Sequence, residues 1–368
     1  MEHERNSAYR SCRLCPRRCG VDRTAAGVSG GLGYCGESAV PRLACASIHR
    51  GEEPPLTGGE GGGGSGTIFV SGCGLGCVFC QNYQITGHAP GTARGRPPGL
   101  ERAAGAGRAV DTGEFARICL ALRDRGAENI NIVTGSHAVP AIVEGIAAAR
   151  AGGLEIPVLW NSSAYELPGT LDLLADTVDL YLPDLKTLDR EIARRYFNAP
   201  DYPEIAAAAI VRMMDRGPVM VRHLVLPGRL AATRDVLRWF ADHRAGKAGG
   251  TRERRRGKGG KTWNLSARPG AALSLMFQYT PVFPPGAGQK GEAAPDRYIG
   301  KGEYEKVLGW LDEFGIEDGF CQELVPGGAD WLPDFDKLNP FPSDLSAPVW
   351  HWKTGFIPVG QGGDFLLH

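Results

Sequence analysis

Residues 66–86 read GTIFVSGCGLGCVFCQNYQIT, and this stretch decides how the rest of the chain is read. Thr67-Ile68-Phe69-Val70-Ser71 is a short, mostly apolar run that predicts a strand. Directly after it come Cys73, Cys77 and Cys80, so three thiols at x3 and x2 spacing share one strand-end loop. Three thiolates on one loop can converge on a single inorganic centre. A cubane iron–sulfur cluster normally takes four cysteines, so three ligands leave one iron open, as catalytic zinc sites keep one position open. Gly72, Gly74 and Gly76 let the backbone wrap closely and offer amide donors to the sulfur atoms.

Outward from this loop the pattern becomes regular. Phe115, Ile118, Cys119 and Leu122 recur at i, i+3, i+4, i+7, predicting a helix capped by Asp111 or Thr112 and ended by Gly126. A strand over 129–133 precedes a second helical spacing at Val139, Ile142, Val143 and Ile146. Strands then follow over 158–160, 178–182, 219–226, 273–279 and 320–324. Helices over 167–174, 188–197 and 203–215, and around Val236, Leu237 and Phe240 and around Tyr304, Val307, Leu308 and Leu311, lie between them. Strand and helix alternate about six times, which predicts an α/β fold, a parallel sheet curled into a partial (β/α)6 TIM-like barrel. In such barrels the chemistry sits on the loops after the C-terminal strand ends.

The domain organisation follows. Residues 1–45 form a small cysteine-rich leader, 46–65 a glycine-rich linker containing the run from Gly58 to Gly66, and 66–330 the barrel. Residues 331–368, rich in Pro, Trp, Asp and Phe, read as a tail packed on the barrel. The 368 residues hold 41 basic and 41 acidic side chains, which argues against a globally basic nucleic-acid binder. Eight of the basic residues fall in 244–261 beside the single acid Glu253, so 245–261 reads as a disordered, solvated basic loop. No apolar run reaches the length of a membrane span, and Met1 to Arg10 lack the apolar stretch of a signal peptide. A cytoplasmic, reducing location is expected, where the ten cysteines are metal ligands, nucleophiles or core residues rather than disulfides.

The CxxxCxxC spacing, with aromatic Phe79 before the last cysteine and on the loop after the first barrel strand, resembles the radical S-adenosylmethionine superfamily. The resemblance implies a 4Fe-4S cluster on Cys73, Cys77 and Cys80, with S-adenosylmethionine chelated to the open iron. It implies reductive cleavage to a 5′-deoxyadenosyl radical that abstracts hydrogen, with an electron donor such as a flavodoxin or ferredoxin, and it sets Phe79 near the adenine. Together with CRLCPRRCGVDR at 12–23, YLPDLKTLD at 181–189 and LVLPG at 224–228, the motif is similar to the branch related to pyruvate formate-lyase activating enzyme (PflX-like).

The other strand ends supply further candidates for cofactor binding. Thr134-Gly135-Ser136-His137 stands where many superfamily members carry Gly-Gly-Glu; with no acid here, the contact falls to backbone at Gly135 or to Ser136. His137 is either a ligand-facing donor or an ordinary helix-start histidine. Asn161 and Ser162 suit ribose or carboxylate contacts, and equally suit helix caps. Asp184 and Lys186 resemble the Asp-Leu-Lys of the activases, where the pair lies beside S-adenosylmethionine; a plain salt bridge is the alternative. Arg222 and His223 match a basic strand-end position in the same activases, and alternation lets at most one of them face the barrel interior.

Cys12, Cys15, Cys19 and Cys35 offer four thiolates for a zinc knuckle or an auxiliary iron–sulfur cluster, or are metal-free thiols. Cys119 reads as core and Cys321 as a small hydrophobe in a late strand. Two functions are weighed. One is a radical enzyme acting on a small molecule or on a protein, such as a glycyl-radical partner. The other is a non-catalytic iron–sulfur electron carrier or scaffold.

Overall fold

The computed structural model describes residues 7–24, 31–87, 106–244, 271–282, 295–317, 319–325 and 332–359. The basic loop expected at 245–261 lies outside them. Along the chain come β1 (Arg42–His49), α1 (Pro54–Thr57), β2 (Ser65–Val70), α2 (Tyr83–Thr86), β3 (Arg108–Ala109), α3 (Thr112–Asp124) and β4 (Ile130–Val133). Next are α4 (Val139–Ala151), β5 (Val158–Ser162), α5 (Pro168–Leu174), β6 (Leu180–Pro183), α6 (Arg190–Phe197), α7 (Tyr202–Met214) and β7 (Met220–Leu224). The chain continues through α8 (Leu230–His243), β8 (Ala272–Met276), α9 (Lys301–Glu313), β9 (Gly319–Cys321), β10 (Ser346–His351) and β11 (Gly355–Phe356).

Local chemistry sets these elements. Asp111 caps α3 by accepting from the Glu114 N–H at 2.6 Å, and Phe115, Ile118, Cys119 and Leu122 bury on its inner face. Asp189 does the same for α6, accepting from the N–H groups of Glu191 and Ile192. That helix ends at Asn198, whose left-handed backbone (φ 52°) terminates it.

β2, β4, β5 and β6 pair in parallel in that order. Parallel bridges from Tyr181 to Val219 and from Asp184 to Arg222 carry the array into β7, which continues in parallel to β8 and β9. This is the expected α/β partial barrel, with six strand–helix steps and one further short strand. Ile68, Ile132, Trp160, Tyr181 and Val221 face outward into the main core shared with the helices. Leu159, Leu180, Leu182, Met220 and Ala272 face inward and close on Leu56 of α1. Among the described residues no helix is long and apolar enough to cross a membrane.

Three expectations need correction. The segment 46–65 is no linker: half of β1, all of α1 and the start of β2 lie in it, and β1 pairs antiparallel with β2. Its glycines serve tight turns, with positive φ at Gly58, Gly59, Gly61 and Gly64, and Leu56 plugs the barrel from below. The C-terminal segment is more than packing, because β10 pairs antiparallel with β1 and extends the sheet. Cys321, read as a small hydrophobe, is exposed.

The alternation at β7 also resolves. Arg222 shares the inner face with Met220, whereas His223 points outward and is 2% exposed. Its Nδ1 lies 2.7 Å from the Leu185 carbonyl and its Nε2 3.0 Å from the Thr233 hydroxyl of α8. His223 is therefore a structural residue between sheet and helix and does not line the barrel mouth.

Two predictions follow from the packing. Leu56→Ala should lower unfolding stability by about 2–5 kcal/mol, because a buried plug leaves a cavity, whereas a linker leucine would cost nothing measurable. Urea titration distinguishes the two. Burial lowers the His223 pKa from 6.5 to about 4, so the unfolded chain binds more protons between those values. Its contribution is complete above pH 6.5 and is lost as the pH falls toward 4, on the order of 3 kcal/mol in all. Urea midpoints of His223→Gln should accordingly fall less steeply across that window than those of the parent protein.

Candidate iron–sulfur and S-adenosylmethionine site

The loop after β2 is held from three sides. Gly76 and Val78 donate backbone N–H bonds to the carbonyls of Phe197 (3.1 Å) and Tyr196 (2.9 Å) at the end of α6. Gly72, with φ 86°, turns the chain and donates to Ile85 at 2.9 Å. A side chain at Gly72 would run into Glu37 and the Cys35 carbonyl, so the turn needs glycine for space as well as for φ. From the leader, Arg17 donates to the Gly74 carbonyl at 2.7 Å. Leu75 and Val78 point into the core and are each 1% exposed, while Cys73, Cys77 and Cys80 stay half-buried.

The three thiols bear on one another electrostatically. Burial pushes the Cys77 thiol up, Lys186 pulls it down, and Cys80 and Cys73 raise it further. Burial and Cys73 push Cys80 up to about 12. Neutral thiols so buried become thiolates only when a cation compensates them, which is what metal ligation provides. The Leu75 N–H lies 3.3 Å from the Cys73 sulfur, an amide donor of the kind that stabilises ligated sulfur.

Asp184 and Lys186 stand beside this loop. The Lys186 ammonium pairs with Asp184 at 2.6 Å, and its backbone N–H donates to the Tyr202 hydroxyl, which in turn donates to the Asp184 carbonyl. Burial opposes the Lys186 charge, but Asp184 and Cys77 outweigh it and raise its pKa. The pair is thus both a salt bridge and a neighbour of the thiols.

Other expected residues fall differently. Phe79 is 7% exposed inside a cage of Tyr196, Phe197 and Tyr279 rings, at centroid distances of 5.7–6.2 Å. Gly135 sits against Trp160, whose ring would lie 2.6 Å from any added Cβ. Ser136 and Ser162 both donate to buried Glu166, which also accepts from the Trp160 indole. Burial raises the Glu166 pKa against these three bonds. Asn161, one residue before Ser162, shares the inner face of Leu159 and is half-buried. His137 is 2% exposed beneath the leader, and its carbonyl accepts from Arg23 at 2.7 Å.

Arg222 has partners that sequence reading missed. Its guanidinium binds both Glu52 and Glu53, with Nε to Glu53 at 3.0 Å, and Asn131 donates to Glu52 at 3.2 Å. Burial favours a neutral Glu53, yet the Arg222 charge overcomes it and holds the carboxyl below its usual range. A partner 169 residues away leaves no local signal; only the adjacent acids before Pro54 and Pro55 stand out.

Among the described residues no three His, Cys, Asp or Glu side chains are gathered as tightly as a single metal ion requires. A multi-iron cluster spreads its ligands wider than one ion does. Three mutually interacting thiols, an amide aimed at one sulfur and a lysine beside another form a donor set that fits such a cluster.

Residues 67–240 match the family described as the Radical SAM superfamily. An uncharacterized protein of Methanocaldococcus jannaschii is 26% identical over 316 residues, 84% of this chain and 76% of that protein. Streptococcus suis SuiB bound to its precursor peptide SuiA aligns with TM-score 0.43 and 13% identity over 69% of this chain. The chain spans about half of SuiB, at 47% of its length. A domain of pyruvate-formate lyase-activating enzyme from Bacteroides vulgatus aligns with TM-score 0.33 and 12% identity, over 50% of this chain and 91% of that domain. The match runs from β2 into α8 and so includes the loop of Cys73, Cys77 and Cys80, which supports the Radical SAM superfamily, a family that uses a 4Fe-4S cluster and S-adenosylmethionine.

Proposed function

We propose that the protein is a radical S-adenosylmethionine enzyme of the activating-enzyme type. The observation that carries this reading is the position of the Cys73–Cys80 loop. It follows the first strand of the parallel array and stands beside Asp184 and Lys186, which follow the fourth. When bound, the cluster and S-adenosylmethionine supply reductive carbon–sulfur cleavage to a 5′-deoxyadenosyl radical for hydrogen abstraction.

The chain's own residues supply position and polarity. Cys73, Cys77 and Cys80 are the ligands, and the buried Leu75 and Val78 side chains hold their loop against the core. Lys186 sets a positive charge beside Cys77, and Asp184 fixes that ammonium in place. Arg222, locked by Glu52 and Glu53, forms with them a buried triad with one negative charge in excess in the barrel interior, suited to a cationic group of cofactor or substrate. The Phe79 ring cage keeps water from the inner side of the loop. Glycine hydrogen abstraction on a partner protein is the activase pattern that YLPDLKTLD at 181–189 resembles, and a flavodoxin or ferredoxin would be the reductant. The C-terminal segment bears on substrate size: Phe335 is fully buried against Phe69, and Gln84 of α2 accepts from its N–H at 2.8 Å. This strap narrows one side of the rim next to the catalytic loop.

Anaerobic reconstitution with iron and sulfide, then dithionite and S-adenosylmethionine, should yield 5′-deoxyadenosine. Yield no higher than a protein-free blank would leave only the electron-carrier reading. Cys77→Ala should abolish the product, whereas Cys119→Ala, in the core of α3, should leave it intact. Replacing Arg222 by Met strands two buried carboxylates, so a stability loss of about 3–5 kcal/mol is expected in urea titration.

A further inference from the structure

The leader has little to hold itself together. Among its described residues, its own apolar cluster consists of Tyr9, Cys12 and Leu14, with Ala8, Cys19 and Ala39 packed around them. A module with so small a core needs a staple, a disulfide or a metal. None of its cysteines is in a disulfide, and Cys12, Cys15 and Cys35 are buried.

Its backbone is shaped into two cysteine-bearing turns. Cys12 accepts from Gly20 and donates to Val21, while Arg18 donates back to Cys15 at 3.0 Å. Arg18 and Gly20 take left-handed φ values of 40° and 68° to make this reversal. The second turn is closed by Gly36 donating to Gly33 at 2.9 Å around Cys35. The turns face each other, for Cys15 has Cys35, Cys12 and Cys19 as electrostatic neighbours.

A buried cation stands in the same place. Arg23 is 1% exposed, and its guanidinium donates to the carbonyls of Glu37, Ser38 and His137 and to the Cys12 sulfur at 3.5 Å. Cys35 Sγ and the Arg23 side chain flank Gly33 together, 3.1 and 3.2 Å from where its Cβ would be. Three of those bonds go to neutral carbonyls, so a buried guanidinium gains most from sulfurs that are charged.

We propose that Cys12, Cys15, Cys19 and Cys35 hold a thiophilic metal as a tetrathiolate centre, and that this centre clamps the catalytic loop. The proposal goes beyond the reaction assigned above and does not rest on it. Metal binding replaces four thiol protons and releases them to solvent; a multi-iron cluster spans thiols set wider apart than one ion requires, whereas zinc would have to draw the two turns together. Arg23 offsets part of the negative charge that results. The clamp is visible in three contacts with the loop after β2. Cys73 N–H donates to the Cys35 carbonyl at 3.4 Å, and Arg17, two residues after Cys15, donates to Gly74. The Cys15 sulfur lies 3.8 Å from the position of a Gly74 Cβ. Arg17 is itself fixed over the Tyr34 ring, 4.3 Å from its centroid. Zinc and an iron–sulfur cluster share this ligand chemistry.

The test uses the full-length chain with Cys73→Ala, Cys77→Ala and Cys80→Ala combined, so that metal on the catalytic loop is not counted. It is incubated without oxygen with zinc chloride, or with ferrous iron and sulfide, and then desalted. About one zinc or about four irons per chain should remain, the species retained naming the occupant. Iodoacetamide followed by peptide mass spectrometry should find Cys12, Cys15, Cys19 and Cys35 protected in the loaded chain and modified after chelation. That readout needs no change in the leader. No retained metal, or four modified cysteines in the loaded chain, would overturn the site. Arg17→Gln in the parent protein should keep the leader metal yet release catalytic-loop iron to a chelator several-fold faster. An unchanged release rate would overturn the clamp, and failure of the catalytic reading would show separately as absent 5′-deoxyadenosine.

Discussion

Two hydrogen bonds turn the loop after β2 from a flexible connection into a platform. The last carbonyls of an α-helix have no partner within the helix. At the end of α6 the carbonyls of Tyr196 and Phe197 accept from Val78 and Gly76, so each element satisfies the other. Asn198 makes this possible: its left-handed backbone stops the helix where the loop arrives, and its side chain donates to the Tyr34 hydroxyl of the leader. Helix, loop and leader therefore meet within a few residues. Shifting any one of them would leave buried amides without acceptors, at about 1–3 kcal/mol each.

Inside the barrel the governing constraint is electrostatic. Arg222 lies in a low-dielectric interior where an unpaired guanidinium would be prohibitive. Two carboxylates from the α1 approach meet it, leaving the triad one negative charge in excess before any ligand enters. Asn131 and Ser274 share that excess through hydrogen bonds to Glu52 and Glu53. The same short segment that seals the barrel with Leu56 thus also fixes its internal cation, so packing below and polarity above are one structural decision.

What could be read from the sequence follows the range of the interactions. Helix faces such as Phe115, Ile118, Cys119 and Leu122 repeat within one element, and the CxxxCxxC loop carries its three thiols within eight residues. Both were legible for that reason. β1 was not, because its strand character comes from pairing with β2 on one side and β10 on the other, while the nearby glycine run suggests a linker. Arg17, Glu52 and Glu53 were invisible for the same cause, with partners 57, 170 and 169 residues away. Alternation did limit Arg222 and His223 to one inward residue, but choosing between them required the side-chain partners.

The polar residues after β4 and β5 show how a motif can be altered without leaving a void. No acid occurs at Thr134-Gly135-Ser136-His137, yet an acid is present in space, because Glu166 from the loop after β5 accepts from the Ser136 hydroxyl at 2.7 Å. Glu166 also takes bonds from Trp160 and Ser162, so all three donors are committed to it. Side chains committed in this way hold the two strand ends at a fixed separation. Thr134 is strained at φ 63°, and Gly135 has no room for a Cβ beside Trp160, so the backbone there is held close to the sheet. A ligand at this rim would meet backbone groups first, with the carboxylate behind them setting the local polarity.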